Sequence, residues 1–428
     1  MINRARSGIP QNRPEYDWRI EELRLNVLFL SEIFYPHGGG AELATYLYAK
    51  LLSEEGINVV VVTNRFGEEP EIFKKQNLVI YRLPMFEKAT STKYSILEKV
   101  GVLFSSFMRK LIKEADVVYI PRFWYSAIPL AKLYKKPVVV HLHDYIPICP
   151  LSNLYNMLED KICARKKGFC SFGCIYTWEK MRGRNFLESM YSVALNSTVG
   201  VLLGKFLRLC DAVICVSETH RNIIVKADPS LRSKTYKIYN PLPAISHMDV
   251  EGDNFGYFGG PNYLKGFHLI YQAAKWVNIN KGNIMNIHAT NFFPISKSFQ
   301  DVLGKYGFTL YGRLNEEKYK KLYRKLRCVV VPSIWPETFS YVAVEALLRG
   351  RLVIASEIGA IPEVTKDCDA YLFPTGNFKL LATTMLHVKD MNKETIIDLG
   401  VRNREIMKKK FSNEKTIKKF VNLLTWAA

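Results

Sequence analysis

The chain has 428 residues, 48% of them hydrophobic and 13% aromatic, which is too many for one compact core and enough apolar material for two or three. That composition excludes a disordered or low-complexity chain. Sixty Lys and Arg against forty Asp and Glu leave a formal charge of +20, which points to an anionic partner: nucleic acid, a phosphorylated substrate or an acidic membrane surface.

In chain order, residues 1–23 form a polar, charged lead-in without the apolar core of a signal peptide. LNVLFLS (25–31) is an apolar run broken by PHGGG, AELATYLYAKLLSEEG (41–56) carries apolar residues at helical spacing and closes on Gly56, and INVVVVTN (57–64) is a second β-branched run. Strand, glycine turn, helix, strand is the unit of a parallel sheet. It recurs with VVYIP (117–121), PVVVHLHD (137–144) and AVICVS (212–217) as strands. These runs are continuous rather than alternating, as strands buried on both faces must be. KIYNPLP (237–243), with two prolines, reads as a linker. Beyond it the grammar repeats: NFGYFGG (254–260), a helical FHLIYQAAKWV (267–277), then strands in NIMNIHAT (283–290), FTLYG (308–312), CVVVPS (328–333), RLVIAS (351–356) and AYLFP (370–374). The expectation is two doubly wound α/β domains in tandem, with ligands at the carboxyl ends of the strands and a cleft between facing domains. No run is long and apolar enough to span a bilayer, so a cytoplasmic protein is expected.

PSIWPETFSYVAVEALLRG (332–350) carries the most chemistry. A helix starting near Ser340 turns the amides around Phe339, Ser340 and Tyr341 toward the strand end, where the helix dipole favours an anion. Glu345 then lies just over one turn in, able to accept from a ribose diol, and Glu337 lies in the loop, one group further along a ligand. Two glutamates eight residues apart also occur on ordinary solvated helices; the placement after a Pro-terminated strand favours a site.

With these segments the sequence resembles the retaining glycosyltransferases of the GT-B fold, family 4, from about residue 25 to 425. FLSEIFYPHGGGAE resembles the family's opening strand and glycine turn, HLHDYIPICP its HDxxPxCP segment, YLKG (263–266) the end of its G-R-x4-K-G loop, and residues 332–350 with VIASEIGAIPEV its donor-site signature. The resemblance implies a GT-B architecture, two Rossmann-like domains facing across a cleft. They would be an acceptor-binding domain over 24–236, with a C-terminal helix (411–428) crossing back to it, and a nucleotide-sugar domain over 237–410. It implies that Gly39 and Gly40 let backbone approach the donor phosphate and sugar. Lys265 would meet the diphosphate, and His143 would bond a hydroxyl of the donor sugar. Gly260 stands where the family has an Arg, and Arg313 is the candidate to replace that cation. Asp144 orients His143, helps bind the acceptor, or makes a turn.

Cys149, Cys163, Cys170 and Cys174 fall within twenty-six residues. They resemble a cysteine-bearing insertion of some relatives and are read as a structural zinc site, a disulfide pair or unligated thiols. Two stretches, 93–114 and 177–209, are apolar and basic, as are helices lying on an anionic lipid surface; core-facing helices with solvated lysines have the same pattern. The resulting expectation is a retaining hexosyltransferase. It would use a nucleoside-diphosphate sugar donor and a glycan acceptor linked to a polyprenyl or dolichyl lipid, in surface-glycan or protein-glycan assembly, at the inner face of the cell membrane. No D-x-D stands on a strand end placed to bridge a diphosphate, so no metal cofactor is expected for catalysis. The alternatives are a GT-B relative with other nucleotide-sugar chemistry, such as an epimerase, an inactive partner subunit, and a nucleic-acid binder. The last has only the charge in its favour, because the lysines are dispersed and no groove-reading motif is present.

Overall fold

A computed structural model describes residues 25–85, 101–163, 172–291 and 295–428. The stretch 93–100 and Cys170 lie outside them. The chain forms two compact units. The first holds the described residues up to Ser152, those from 172 to Pro241, and Asn413–Ala428; the second holds 153–163 and Leu242–Ser412. The chain thus leaves the first unit after Ser152, returns, leaves again after Pro241 and ends back in it. Residues 153–163 lie within the stretch expected for the first domain; their apolar members Leu154, Tyr155 and Met157 are buried with the second unit instead.

The strands in chain order are β1 (Asn26–Leu30), β2 (Asn58–Asn64), β3 (Ile72–Lys75), β4 (Leu78–Leu83), β5 (Val117–Ile120), β6 (Val138–Leu142), β7 (Tyr155–Asn156), β8 (Lys161–Ile162), β9 (Ala212–Cys215), β10 (Thr235–Lys237), β11 (Asn254–Tyr257), β12 (Ile287–Thr290), β13 (Phe308–Tyr311), β14 (Leu326–Val331), β15 (Leu352–Ser356) and β16 (Ala370–Phe373). The first unit's sheet runs β10-β9-β6-β5-β1-β2-β4-β3. All its pairs are parallel except the edge hairpin β3–β4, which periodicity did not reveal because β3 is exposed. The second unit's sheet runs β13-β12-β11-β14-β15-β16, all parallel. In each sheet the chain builds outward from one strand and then crosses to the other side. The order therefore reverses at β1/β5 in the first unit and at β11/β14 in the second. Such switch points open a crevice at the carboxyl ends of the two strands.

Burial on both faces explains the unbroken apolar strands: every residue of β5, β6, β9, β14 and β15 is buried. The helix Gly40–Glu54 buries Ala44, Leu47, Tyr48 and Leu52 at helical spacing and ends at Gly56, whose φ of +82° is left-handed. Buried arginines close helix ends in the second unit. Arg327 donates to the carbonyls of Val388, Lys389 and Met391 at the end of helix Phe378–Asp390. Arg351, fully buried, donates to those of Tyr323, Met248, Arg349 and Asp249. Orphan carbonyls at helix ends take such donors readily, and burial lowers Arg351 to about 10.

The last helix, Asn413–Ala427, packs into the first unit's core, where Phe420 lies 4.5 Å from the Tyr48 ring and 5.2 Å from that of Tyr119. Phe420 is fully buried, and removing a buried phenylalanine costs about 3–5 kcal/mol. Phe420→Ala is expected to lower the urea midpoint of the first unit's unfolding by a corresponding amount, whereas Trp426→Ala, at the half-exposed end of the same helix, is expected to do less.

Candidate active site

In the second unit, two loops meet at the β11/β14 switch point. The chain leaving β11 runs through Phe258–Gly266 and is wired to itself: Asn262 N–H donates to Gly260 O (2.7 Å), Lys265 N–H to Asn262 Oδ1 (3.3 Å) and Gly266 N–H to Tyr263 O (2.9 Å). Ile334, leaving β14, donates its N–H to Leu264 O at 2.9 Å. Gly266 has φ +75°, and a Cβ there would fall on the Pro332 carbonyl oxygen, so only glycine lets the first loop lie against the second. Across this contact Lys265 Nζ donates to Glu337 Oε1 at 2.7 Å and sits 5.0 Å above the Trp335 ring. Ser333 Oγ (2.6 Å) and Trp335 Nε1 (3.2 Å) donate to the same Oε1. Glu337 is 5% exposed, and a buried carboxylate needs this degree of satisfaction. Its backbone is fixed too: Ala360 N–H donates to Glu337 O at 2.8 Å, over Gly359 with φ +56°.

Helix Tyr341–Leu348 begins directly after this loop, with Ser340 as its N-cap at φ +69°. Its first-turn amides face the anion side of the dipole. Phe339 is buried and packs edge-on to Tyr341 (5.2 Å) and Phe411 (5.4 Å), so its side chain is core and only its backbone is offered at the helix start. Glu345, half-buried, accepts from Tyr319 Oη at 3.2 Å. Burial pushes its carboxyl upward, against the lowering effect of Arg349 and of that hydrogen bond. Arg313 follows β13, the edge strand, two strands from β11, and its side chain is exposed.

In the first unit, Gly38 (φ +88°) turns the chain after β1, and a Cβ there would collide with the Glu42 side chain. Glu42 Oε2 accepts from Gly39 N–H at 2.7 Å, so the amide of Gly39 is engaged by protein. Glu42 is buried and ion-paired with Arg122, which follows β5 across the switch point. His143 follows the last residue of β6. Its ring stacks on that of His141 at 4.4 Å, and His141 Nδ1 lies 2.7 Å from Tyr119 Oη. Burial, then the charges of Arg122 and His220, lower His143 to about 3, and burial lowers His141 as well. His143 is therefore neutral near pH 7: a hydrogen-bonding group rather than a proton donor held in readiness. Asp144 Oδ1 accepts from Ile146 N–H at 2.8 Å, which is a turn role, and its carbonyl lies 3.1 Å from Nε2 of buried His220.

The cysteine segment is divided. Cys149 and Cys174 are buried in the first unit and Cys163 belongs to the second. Among the described residues no group of three or more His, Cys, Asp or Glu is gathered as a metal would need.

Glu42, Arg122, Ser333, Trp335 and Asp160, the last described below, were not legible as site residues. Arg122 had a signal, since it stands at the end of the strand VVYIP; the others are specified only by partners distant in sequence. The histidine pair generates a prediction. An unfolded histidine takes its proton near pH 6.5, whereas folded His143 does so only near 3. Between those values the unfolded chain binds more protons, so stability falls as pH drops from about 6.5. His143→Gln is expected to narrow the difference in unfolding free energy between pH 7 and pH 5 in urea titrations; an unchanged difference would contradict the assigned neutrality.

Comparison with known proteins places these features in a family context. Residues 38–244 match the family model described as Glycosyltransferase Family 4, and 251–398 the one described as Glycosyl transferases group 1. An uncharacterized 42.6 kDa protein in the cps region of Klebsiella pneumoniae is 24% identical over 366 residues, 80% of this chain and 88% of that protein. A human protein, one component of the phosphatidylinositol N-acetylglucosaminyltransferase, is 22% identical over 360 residues, 79% of this chain and 63% of that one. Among solved structures, Anabaena HepE in complex with UDP and glucose superposes with a TM-score of 0.63 at 16% identity, covering 94% of this chain and all of that one. Sucrose-phosphate synthase from Thermosynechococcus elongatus gives 0.67 at 15%, covering 94% and 99%.

Proposed function

Because this chain belongs to the group 1 glycosyltransferases of family 4 and has the GT-B fold, we propose that it is a retaining hexosyltransferase. It would move a sugar from a nucleoside diphosphate to a hydroxyl of a lipid-linked glycan. The observation that carries this reading is the Lys265–Glu337 pair at the β11/β14 switch point, beside the start of helix Tyr341–Leu348. An ammonium has three donors; one goes to Glu337, and the others serve the donor diphosphate together with the helix-start amides of Phe339, Ser340 and Tyr341. The bonds at Glu337 fall on Oε1, so Oε2 serves the hydroxyls of the donor sugar. Glu345 takes the ribose. Gly39 and Gly40 let the backbone come close to the phosphate and sugar, with the amide of Gly40 as the donor, since that of Gly39 goes to Glu42. His143, held neutral, bonds a sugar hydroxyl. Arg313 is a lesser candidate for the diphosphate, given its place beyond the edge strand.

In the proposed reaction the bond from the sugar C1 to the diphosphate oxygen breaks, and the acceptor oxygen bonds C1 on the same face. The acceptor's proton passes to an oxygen of the leaving diphosphate. Lys265 and the helix dipole stabilise the charge that develops there. Glu337, fixed by its donors, positions the sugar and is not the nucleophile.

Titration calorimetry with UDP, GDP and ADP tests the donor reading. Lys265→Ala and Glu345→Ala are each expected to weaken the nucleotide that binds by roughly tenfold or more, the loss of one charged hydrogen bond. Glu337→Ala is expected chiefly to lower turnover. Product NMR reporting an inverted anomer would overturn the retaining mechanism, and sugar epimerised without transfer would favour the epimerase reading.

No helix among the described residues is long and apolar enough to cross a membrane. Helices Phe172–Met181 and Phe186–Phe206 instead leave large apolar side chains exposed around their turn: Met181, Phe186, Met190 and, at 78%, Leu187. Lys180, Arg182 and Arg184 flank that turn. This supports peripheral attachment to anionic lipid at the inner membrane face. Flotation with vesicles containing anionic lipid is expected to recover the protein at low salt and less at 1 M salt, and Leu187→Asp is expected to reduce recovery. No recovery at low salt would favour a soluble acceptor.

A further inference from the structure

The short hairpin β7–β8 is neither in the family's donor loops nor in the sheet it follows in sequence. Tyr155 pairs with Ile162 and Asn156 with Lys161. The turn is built locally: Asn156 Oδ1 accepts from Leu158 N–H (3.0 Å) and Glu159 N–H (3.4 Å), and Asn153 Oδ1 from Tyr155 N–H (3.0 Å). Asn153, Leu154, Tyr155, Asn156 and Met157 are all buried, so the hairpin is anchored in the second unit along its first strand. Its turn presents Asp160 in the left-handed region, at φ +49°.

Asp160 Oδ1 accepts two phenol hydroxyls, that of Tyr155 within the hairpin at 2.9 Å and that of Tyr263 at 2.6 Å. Burial and the Asp160 carboxylate push the Tyr263 hydroxyl up to about 12, so it remains a donor at any working pH. Tyr263 stacks on the His268 ring at 4.3 Å, nearly parallel. It stands two residues before Lys265 in the self-bonded turn described above, and its own carbonyl accepts from Gly266 N–H. One carboxylate oxygen therefore joins the hairpin to the loop that aims the Lys265 ammonium.

We infer that Asp160 is a positioning residue for the diphosphate-binding loop, acting through the Tyr263 hydroxyl to hold Lys265 in register with Glu337. This rests on the reading of Lys265 as the diphosphate cation. A long flexible lysine loses side-chain and backbone freedom when it binds an anion, and a loop clamped from a second element gives up part of that freedom in advance. Small misplacements of a binding group are costly. The hairpin thus raises donor affinity without touching the donor.

The test is titration calorimetry of the full chain with whichever of UDP, GDP and ADP binds it most tightly. Tyr263→Phe removes only the hydroxyl and is expected to raise the dissociation constant by about tenfold. Asp160→Ala is expected to do the same. Because alanine is strained at a positive φ, Asp160→Asn is the companion variant; its amide oxygen still accepts both phenols and asparagine tolerates that backbone, so near-native affinity is expected. In a Lys265→Ala background, Tyr263→Phe is expected to add almost nothing, because the residue it positions is gone. Native affinity in both Tyr263→Phe and Asp160→Ala would overturn the inference. So would a loss in Asp160→Asn equal to that in Asp160→Ala, or a Tyr263→Phe effect that adds in full to Lys265→Ala. Unchanged affinity in Lys265→Ala alone would instead sink the diphosphate reading of Lys265, and a weakened Tyr263→Phe beside it would show that the clamp acts on some other group.

Discussion

The Glu337 carboxylate, 5% exposed and bonded by Lys265, Ser333 and Trp335 through one oxygen, ties the exits of β11 and β14 together. A carboxylate this deep would be costly to bury alone. Its three donors come from both loops, so neither loop can move without leaving a buried charge short of partners. Everything proposed for the donor half follows from that constraint. The lysine is aimed, the helix start is placed beside it, and one carboxylate oxygen remains for a ligand. The glycines serve the same end: Gly266 and Gly359 stand where any Cβ would strike a backbone carbonyl or amide, so the loops close on each other at distances no side chain permits.

The first unit solves a similar problem with different groups. At β1/β5 the buried partner is Glu42, held by Arg122 and by the amide of Gly39. Next to it lie histidines that burial keeps uncharged. The two switch points thus have different electrostatics, one offering an ammonium and a helix dipole, the other neutral imidazole and a glycine turn. Under the proposed reading, the former takes the anionic diphosphate and the latter uncharged sugar hydroxyls.

The charge of +20 is less directly informative than it looks. Arg327 is buried on helix-end carbonyls, Arg351 on those of Tyr323, Arg349, Met248 and Asp249, and Arg208 is paired with Asp228 at 3.0 Å. Such arginines serve the fold. Around the turn between helices Phe172–Met181 and Phe186–Phe206, Arg182 and Arg184 likewise pair with the buried Glu179; what sets this turn apart is the exposed apolar side chains beside them, which no core requires.

Periodicity in the sequence determined the central strands, because a strand buried on both faces must be largely apolar: β5 and β9 are wholly so, and β6, β14 and β15 carry one polar residue each, His141, Arg327 and Ser356. Residue type and placement around a helix start marked Glu337 and Glu345 as candidates, and the resemblance to the family marked Lys265 and His143. The edge strand β3 and the pair β7–β8 escaped because exposed or two-residue strands carry no apolar period. The tertiary structure alone decided that Lys265 meets Glu337, seventy-two residues away, that Glu42 is buried against Arg122, and that a segment following the first unit's sheet belongs to the second and brings Asp160 to Tyr263. A hydrogen bond or ion pair between distant residues leaves no imprint on either local sequence. For Glu337 and Glu42 the partner is selected by burial, which forbids leaving a charge unsatisfied; the exposed Asp160 meets Tyr263 because the tertiary fold brings the hairpin to that loop.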